Sequence, residues 1–146
     1  MARKPTPRPT DREVDILKAL WASGPSTVRD VHAALEAETG MGYTTVLKLM
    51  QIMTEKGILV RDASERPQRF QPAASRDATQ RALIADLMNR AFGGSPGAFV
   101  LQALSGRHTT ADERRRIREM LDDLDEAPDR GEDHDPDDSR DEEGAR

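Results

Sequence analysis

Three short amphipathic segments follow one another within the first 57 residues, each closed by a glycine. No other feature constrains the chain as strongly, because helices this short are marginal alone in water and must bury their apolar faces against one another. Thr10, with Glu13 three positions on, forms a capping-box pattern. Val14, Ile16, Leu17, Leu20 and Trp21 follow at helical spacing until Gly24-Pro25, which predicts a first helix over about residues 11–22. Ser26 or Thr27 opens a second, with Val28, Val31, Ala34 and Leu35 on one face and Gly40 as its stop. A third starts near Tyr43 and runs to Lys56, ended by Gly57. Beyond it, Ile58-Leu59-Val60 and Gln68-Arg69-Phe70-Gln71 are strand-like runs around a polar stretch, residues 62–67, that reads as a hairpin turn. Helices followed by a small hairpin describe a winged helix-turn-helix.

After Pro72 the pattern is helical throughout. Ile84, Leu87, Met88 and Ala91 lie at i, i+3, i+4 and i+7 of a helix expected over about residues 76–92. Gly93-Gly94-Ser95-Pro96-Gly97 interrupts it and reads as an interhelical turn, since a phosphate loop would need a Gly-Lys-Ser/Thr sequence after a buried strand. A short apolar helix over about residues 98–104 carries Phe99, Val100 and Leu104. Thr110 with Glu113 then caps a last helix bearing Ile117, Met120, Leu121 and Leu124. Each stripe needs a partner surface. In a chain of 146 residues with 34% charged and 36% apolar side chains, a second copy is the economical source of one. The expected organisation is a basic flexible arm (1–9), a winged-helix domain (10–72), a three-helix dimerisation region (73–126) and a disordered acidic tail (127–146). The fold class is mainly α.

The formal charge of −5 is unevenly distributed. Residues 1–71 hold 11 Lys and Arg against 9 Asp and Glu, whereas residues 127–146 hold 3 against 9. The acidity belongs to the tail, and the first half keeps a mild basic excess that a nucleic-acid partner can use. Cysteine is absent, which excludes disulfides, thiolate catalysis and cysteine-ligated metals. His32, His108 and His134 have no partners at metal-ligand spacing, so no metal or other cofactor is expected. No nucleophile–base pair points to an enzyme or to a small-molecule substrate. With no apolar run of membrane-spanning length, the cytoplasm is the expected location.

A recognition helix must turn one apolar face to its own core and one polar face to the major groove. In the third helix Val46, Leu49, Met50 and Met53 form the inward stripe. Thr44, Lys48 and Gln51 occupy the other side, with Tyr43 and Thr45 at the amino end. Thr and Gln can hydrogen-bond base edges, and Lys can reach guanine or neutralise a phosphate. Arg61, Arg66 and Arg69 flank or occupy the hairpin, where guanidinium groups suit phosphate contact, while Arg3, Lys4 and Arg8 extend the basic start. An arbitrary amphipathic helix has a polar face merely because water solvates it. The same architecture would also serve a winged-helix module that binds protein only.

Taken together and in order, these residues resemble the penicillinase repressor (BlaI/MecI) family. The resemblance runs through Thr10-Asp11-Arg12-Glu13, Ile16-Leu17, Leu20-Trp21, Thr27-Val28-Arg29-Asp30-Val31, Tyr43-Thr44-Thr45-Val46, Glu55-Lys56-Gly57-Ile58-Leu59, Arg69-Phe70 and Phe92-Gly93-Gly94-Ser95. It implies a homodimeric repressor on a palindromic double-stranded DNA operator, with interleaved carboxyl-terminal helices. It also implies release when a membrane sensor protease triggers cleavage in the second of those helices. The family commonly has Arg then Leu where this chain has Ile52-Met53, and cleavage there typically falls between Asn and Phe, whereas the matching bond here is Gln102-Ala103. The copper-responsive relatives carry a cysteine cluster that this chain lacks.

Overall fold

The structure is a computed structural model and describes residues 8–127. The acidic tail and most of the basic arm lie outside the described residues. The chain forms α1 (Asp11–Ser23), α2 (Val28–Thr39), α3 (Tyr43–Glu55), β1 (Leu59–Asp62), β2 (Arg69–Pro72), α4 (Arg76–Ala91), α5 (Pro96–Ser105) and α6 (Ala111–Glu126). This is a mainly α winged helix-turn-helix followed by further helices.

The local signals act as their chemistry requires. At α1, Thr10 Oγ1 accepts from the Glu13 N–H, and the Glu13 carboxylate accepts from the Thr10 N–H. Thr27 and Asp30 repeat the exchange at α2, which settles Thr27 rather than Ser26 as its cap. Ser26 is instead drawn into the wing: its N–H donates to the Phe70 carbonyl at 3.1 Å, and its own carbonyl accepts from the Phe70 N–H at 2.8 Å. The hairpin therefore gains a third, one-residue edge, which shields one side of β2 from stray pairing. β1 and β2 are antiparallel, with Arg61 opposite Phe70 and Asp62 opposite Arg69. Both strands begin one residue later than the hydrophobic runs suggest, and β1 ends two residues later and β2 one. Ile58 belongs to the turn, where its N–H donates to the Met53 carbonyl and closes α3.

The core draws on every element of the head. Ile16, Leu17 and Leu20 of α1 meet Val31 and Leu35 of α2, Val46, Met50 and Met53 of α3, and Leu59 and Phe70 of the hairpin. Val46, Met50 and Met53 are at 0% exposure, so α3 is held along its whole inner edge. At about 1.5–3 kcal/mol per large apolar side chain, burial on this scale fixes the three-helix arrangement. Ala34 is exposed and lies outside the core, where its small side chain forgoes little burial.

The described chain divides into two compact units between Phe99 and Val100, inside α5. The first unit keeps α4, held by Arg8–Asp86 at 2.6 Å and by the Arg76 guanidinium 5.8 Å from the centre of the Trp21 ring. Phe92 and Phe99 meet edge to face at 5.3 Å. α5 starts at Pro96, two residues before the expected position. Ser95 Oγ accepts from the Ala98 N–H, and proline suits a first helical turn, where its missing N–H would have no partner. In the second unit, α6 carries a Thr110–Glu113 capping box.

Candidate nucleic-acid interface

The exposed polar face expected to meet DNA is built on α3, and its orientation follows from the core. With Val46, Met50 and Met53 fully inward and Leu49 packed against them, the opposite flank must point to solvent. Thr44, Lys48 and Gln51 are exposed there, Thr45 is half-buried, and Tyr43 is 47% exposed. All five lie on one helix of 13 residues with no break in its hydrogen bonding, so their spacing is rigid.

The amino end of α3 differs from those of α1, α2, α4 and α6 in having no side-chain cap, because Gly42 stands at its N-cap position. Its first N–H groups consequently have no side-chain acceptor among the described residues. That suits an anionic group better than a side chain already in place. Gly40 takes the left-handed conformation, φ 67°, to end α2, and Met41 then tucks into the core at 6% exposure. These two residues set the turn between the helices.

His32 is not on an open face. It is half-buried and meets the Tyr43 ring edge to face at 5.8 Å and 87°. One turn of α2 thereby supports the first side chain of α3. The i, i+3, i+4 pattern of α2 alone had no means of showing this, since the partner comes from the next helix.

The three hairpin arginines separate into two kinds. Arg61 and Arg66 are exposed and have no ion-pair partner among the described residues, so their guanidinium groups are available. Arg69 is engaged: Nε donates to Glu65 at 2.8 Å and Nη1 donates to the Pro25 carbonyl at 3.2 Å. That side chain braces the wing against the α1–α2 turn. Asp62 closes the hairpin, accepting from both the N–H and the hydroxyl of Ser64. Those bonds hold its carboxyl below the ordinary value, outweighing the opposing effect of desolvation.

The residues expected to pair chains remain uncovered in the single chain. Ile84 is 42% exposed, Leu87 44%, Val100 42%, Leu104 38%, Met120 66%, Leu121 53% and Leu124 62%. Ala91 is exposed, and Met88, Phe99 and Ile117 are half-buried. No group of His, Asp and Glu among the described residues is arranged to hold a metal, and no described helix is long and apolar enough to cross a membrane.

Comparison with known proteins places this architecture. The family model of the penicillinase repressor matches residues 9–123. The transcriptional regulator BlaI of Mycobacterium tuberculosis is 31% identical over 116 residues, covering 78% of this chain and 83% of that protein. Among solved structures, the monomeric form of Bacillus licheniformis BlaI in complex with the blaP half-operator is similar over 51% of this chain and 92% of its own. That pair has a TM-score of 0.46 and 19% identity. Bordetella bronchiseptica BpsR is similar over 84% of this chain and 79% of its own, with a TM-score of 0.39 and 22% identity. The match along residues 9–123, together with 31% identity to a curated regulator, makes this chain a member of the penicillinase repressor family of transcriptional regulators.

Proposed function

We propose that the protein is a cytoplasmic transcriptional repressor that binds double-stranded operator DNA as a homodimer. The observation that carries this reading is the division of α3: Val46, Met50 and Met53 at 0% exposure on one side, and exposed Thr44, Lys48 and Gln51 on the other. Gln51 and Lys48 supply base-edge contacts in the major groove, with Thr44, Thr45 and Tyr43 at the amino end near the phosphates. Arg61 and Arg66 lie along the sugar-phosphate backbone, while Arg69 keeps the wing in position.

Pairing of two chains covers the apolar stripes of α4, α5 and α6. Those stripes are too large and too regular for ordinary scattered surface residues. Two heads related by a two-fold axis then meet DNA about one helical turn apart, so the operator is an inverted repeat with half-sites about 10 base pairs apart, centre to centre. The inducing partner that the family implies is a membrane sensor protease. The bond in question, Gln102–Ala103, lies in exposed α5, and its cutting would remove α6 from the rest of the chain.

The test is selection from a random duplex pool with the full chain, followed by affinity measurement at several salt concentrations. An enriched inverted repeat, bound less tightly as salt rises, is the expected result. A purified protein that enriches nothing and shows no salt-sensitive binding to any duplex would overturn the proposal in favour of a protein-binding module.

A further inference from the structure

α4 has a second apolar face that the pairing stripe does not use. At about 100° per residue, Ile84, Leu87, Met88 and Ala91 cluster on one side of the helix. Ala78, Ala82 and Leu83 lie around the other. This second face closes a cavity of about 300 Å³ against Ile58, at the joint where the carboxyl end of α3 passes into β1. The volume is at the lower end of the range for small-molecule sites, enough for a single ring and too small for an extended ligand.

The mouth of the cavity is charged and the wall is not. Arg8 and Asp86 stand at its edge, with Arg8 Nη1 2.6 Å from Asp86 Oδ2. Arg90 reaches the same carboxylate oxygen at 3.3 Å from one turn along α4. Two guanidinium groups thus share one carboxylate, which leaves a surplus positive charge beside an apolar chamber. The pairs are open to water, with Arg8 52% and Asp86 39% exposed, so they hold weakly and a competing anion can take the place of Asp86 on Arg8. A guanidinium offers a planar pair of donors that matches a carboxylate.

We propose that this cavity is a binding site for a small apolar carboxylate, its ring or short aliphatic body against Ala78, Ala82, Leu83 and Ile58 and its carboxylate on Arg8. The site is separate from the DNA-facing residues. Its position nevertheless matters to them, because the Ile58 N–H closes α3 on Met53 and the Ile58 carbonyl accepts from the Ala73 N–H just ahead of α4. A ligand lodged there presses on the joint between α3 and α4, the helix that carries the first pairing stripe.

The test uses the full chain, labelled with nitrogen-15, and benzoate as the probe, without DNA. Saturable shifts centred on the amides of Ile58, Ala78 and Leu83 are expected, with none from benzylamine at the same concentration. Arg8→Gln weakens benzoate about tenfold, the loss of one charge-assisted contact, and Ala82→Phe abolishes the shifts by filling the chamber. Should Ala82→Phe fail to fold, Ala78→Leu serves as the blocking variant, with circular dichroism as the check on both. The proposal is overturned if benzoate shifts do not saturate or fall elsewhere, if benzylamine binds as well, or if the filled variant still binds. It is equally overturned if benzoate binds only after residues 1–7 are deleted, or only at protein dilutions that separate two copies. Those results would assign the cavity to the chain's own start or to a second copy.

Discussion

Lys56 Nζ, at the carboxyl end of α3, donates to the carboxylate of Glu13 at 2.9 Å, while that same carboxylate caps the first turn of α1. Glu13 is 1% exposed, and Lys56 keeps about a third of its side chain in water. One carboxylate therefore ties the entry of α1 to the exit of α3. Replacing Lys56 with methionine leaves Glu13 buried with only its Thr10 contacts, and a loss of about 2 kcal/mol is expected. Urea unfolding of the two proteins measures it. A Lys56→Met protein as stable as the parent would show that the link contributes nothing.

Acid should weaken the fold through the same residue. Burial raises the Glu13 pKa, but hydrogen bonds from Lys56 and Thr10 and the charge of Lys56 outweigh it and hold the carboxyl below its ordinary 4.5. Asp30 and Glu113 are held low chiefly by the Thr27 and Thr110 N–H groups that they cap. A carboxyl depressed in the folded state gives its full stabilisation above the unfolded value and loses it as pH falls through the folded one. The melting temperature is expected to hold steady down to about pH 5 and then decline, with a shallower decline in Glu13→Gln. A melting temperature that climbs on acidification would contradict the assignment.

Much of this was legible in the sequence, and all but one of the exceptions have a common cause. Thr10/Glu13, Thr27/Asp30 and Thr110/Glu113 announce helix starts because a cap is a contact over three residues. The inward stripe of α3 is likewise a matter of spacing along one helix. What escaped were contacts between residues distant in the chain: Lys56 on Glu13, His32 on Tyr43, Arg69 on Pro25 and Ser26 on Phe70. Arg69 shows the cost of this, since a hairpin arginine looks the same on paper whether it faces a phosphate or a neighbouring carbonyl. The cavity beside α4 escaped for another reason. Ala78, Ala82 and Leu83 are too small and too few to register as a stripe, and they matter only because Ile58 comes to face them.

The engaged and the available arginines should behave differently on mutation. Arg66→Ala removes an unpaired guanidinium, so affinity for every duplex falls by a similar factor and the salt dependence flattens, with thermal stability unchanged. Arg69→Ala frees Glu65 and the Pro25 carbonyl, and a lower melting temperature should accompany any change in DNA binding. Melting curves alongside fluorescence anisotropy separate the two. Equal stability in both variants would mean that Arg69 braces nothing.

Gln51→Ala tests base reading. Gln51 lies on the exposed flank of α3, and its side chain carries the donor and acceptor that adenine offers a partner for. Removing it should cost about 1–3 kcal/mol on the selected site and less on duplexes altered at one position of each half-site, which relaxes preference there. Equal losses across all duplexes would demote Gln51 to a phosphate contact.

The proposed function makes operator affinity depend on the pairing of two chains, and Leu121 is the position at which to challenge it. Leu121 is 53% exposed on α6, and Met120 and Leu124 beside it are still more so, hence an aspartate there leaves the fold of the single chain intact. In a dimer the same aspartate is carried into an apolar contact without a partner charge, at a cost of several kcal/mol per interface. Because a two-fold interface meets itself, each substitution is felt twice. Sedimentation equilibrium should therefore show Leu121→Asp shifted towards monomer, and anisotropy should show weaker binding to a full inverted repeat with little change on a single half-site. The half-site arm separates the two effects: a reading head that still grips one half-site is intact, so the loss on the full repeat belongs to pairing. A variant that sediments as a monomer yet holds the inverted repeat as tightly as the parent would break the connection between the apolar stripes and DNA binding.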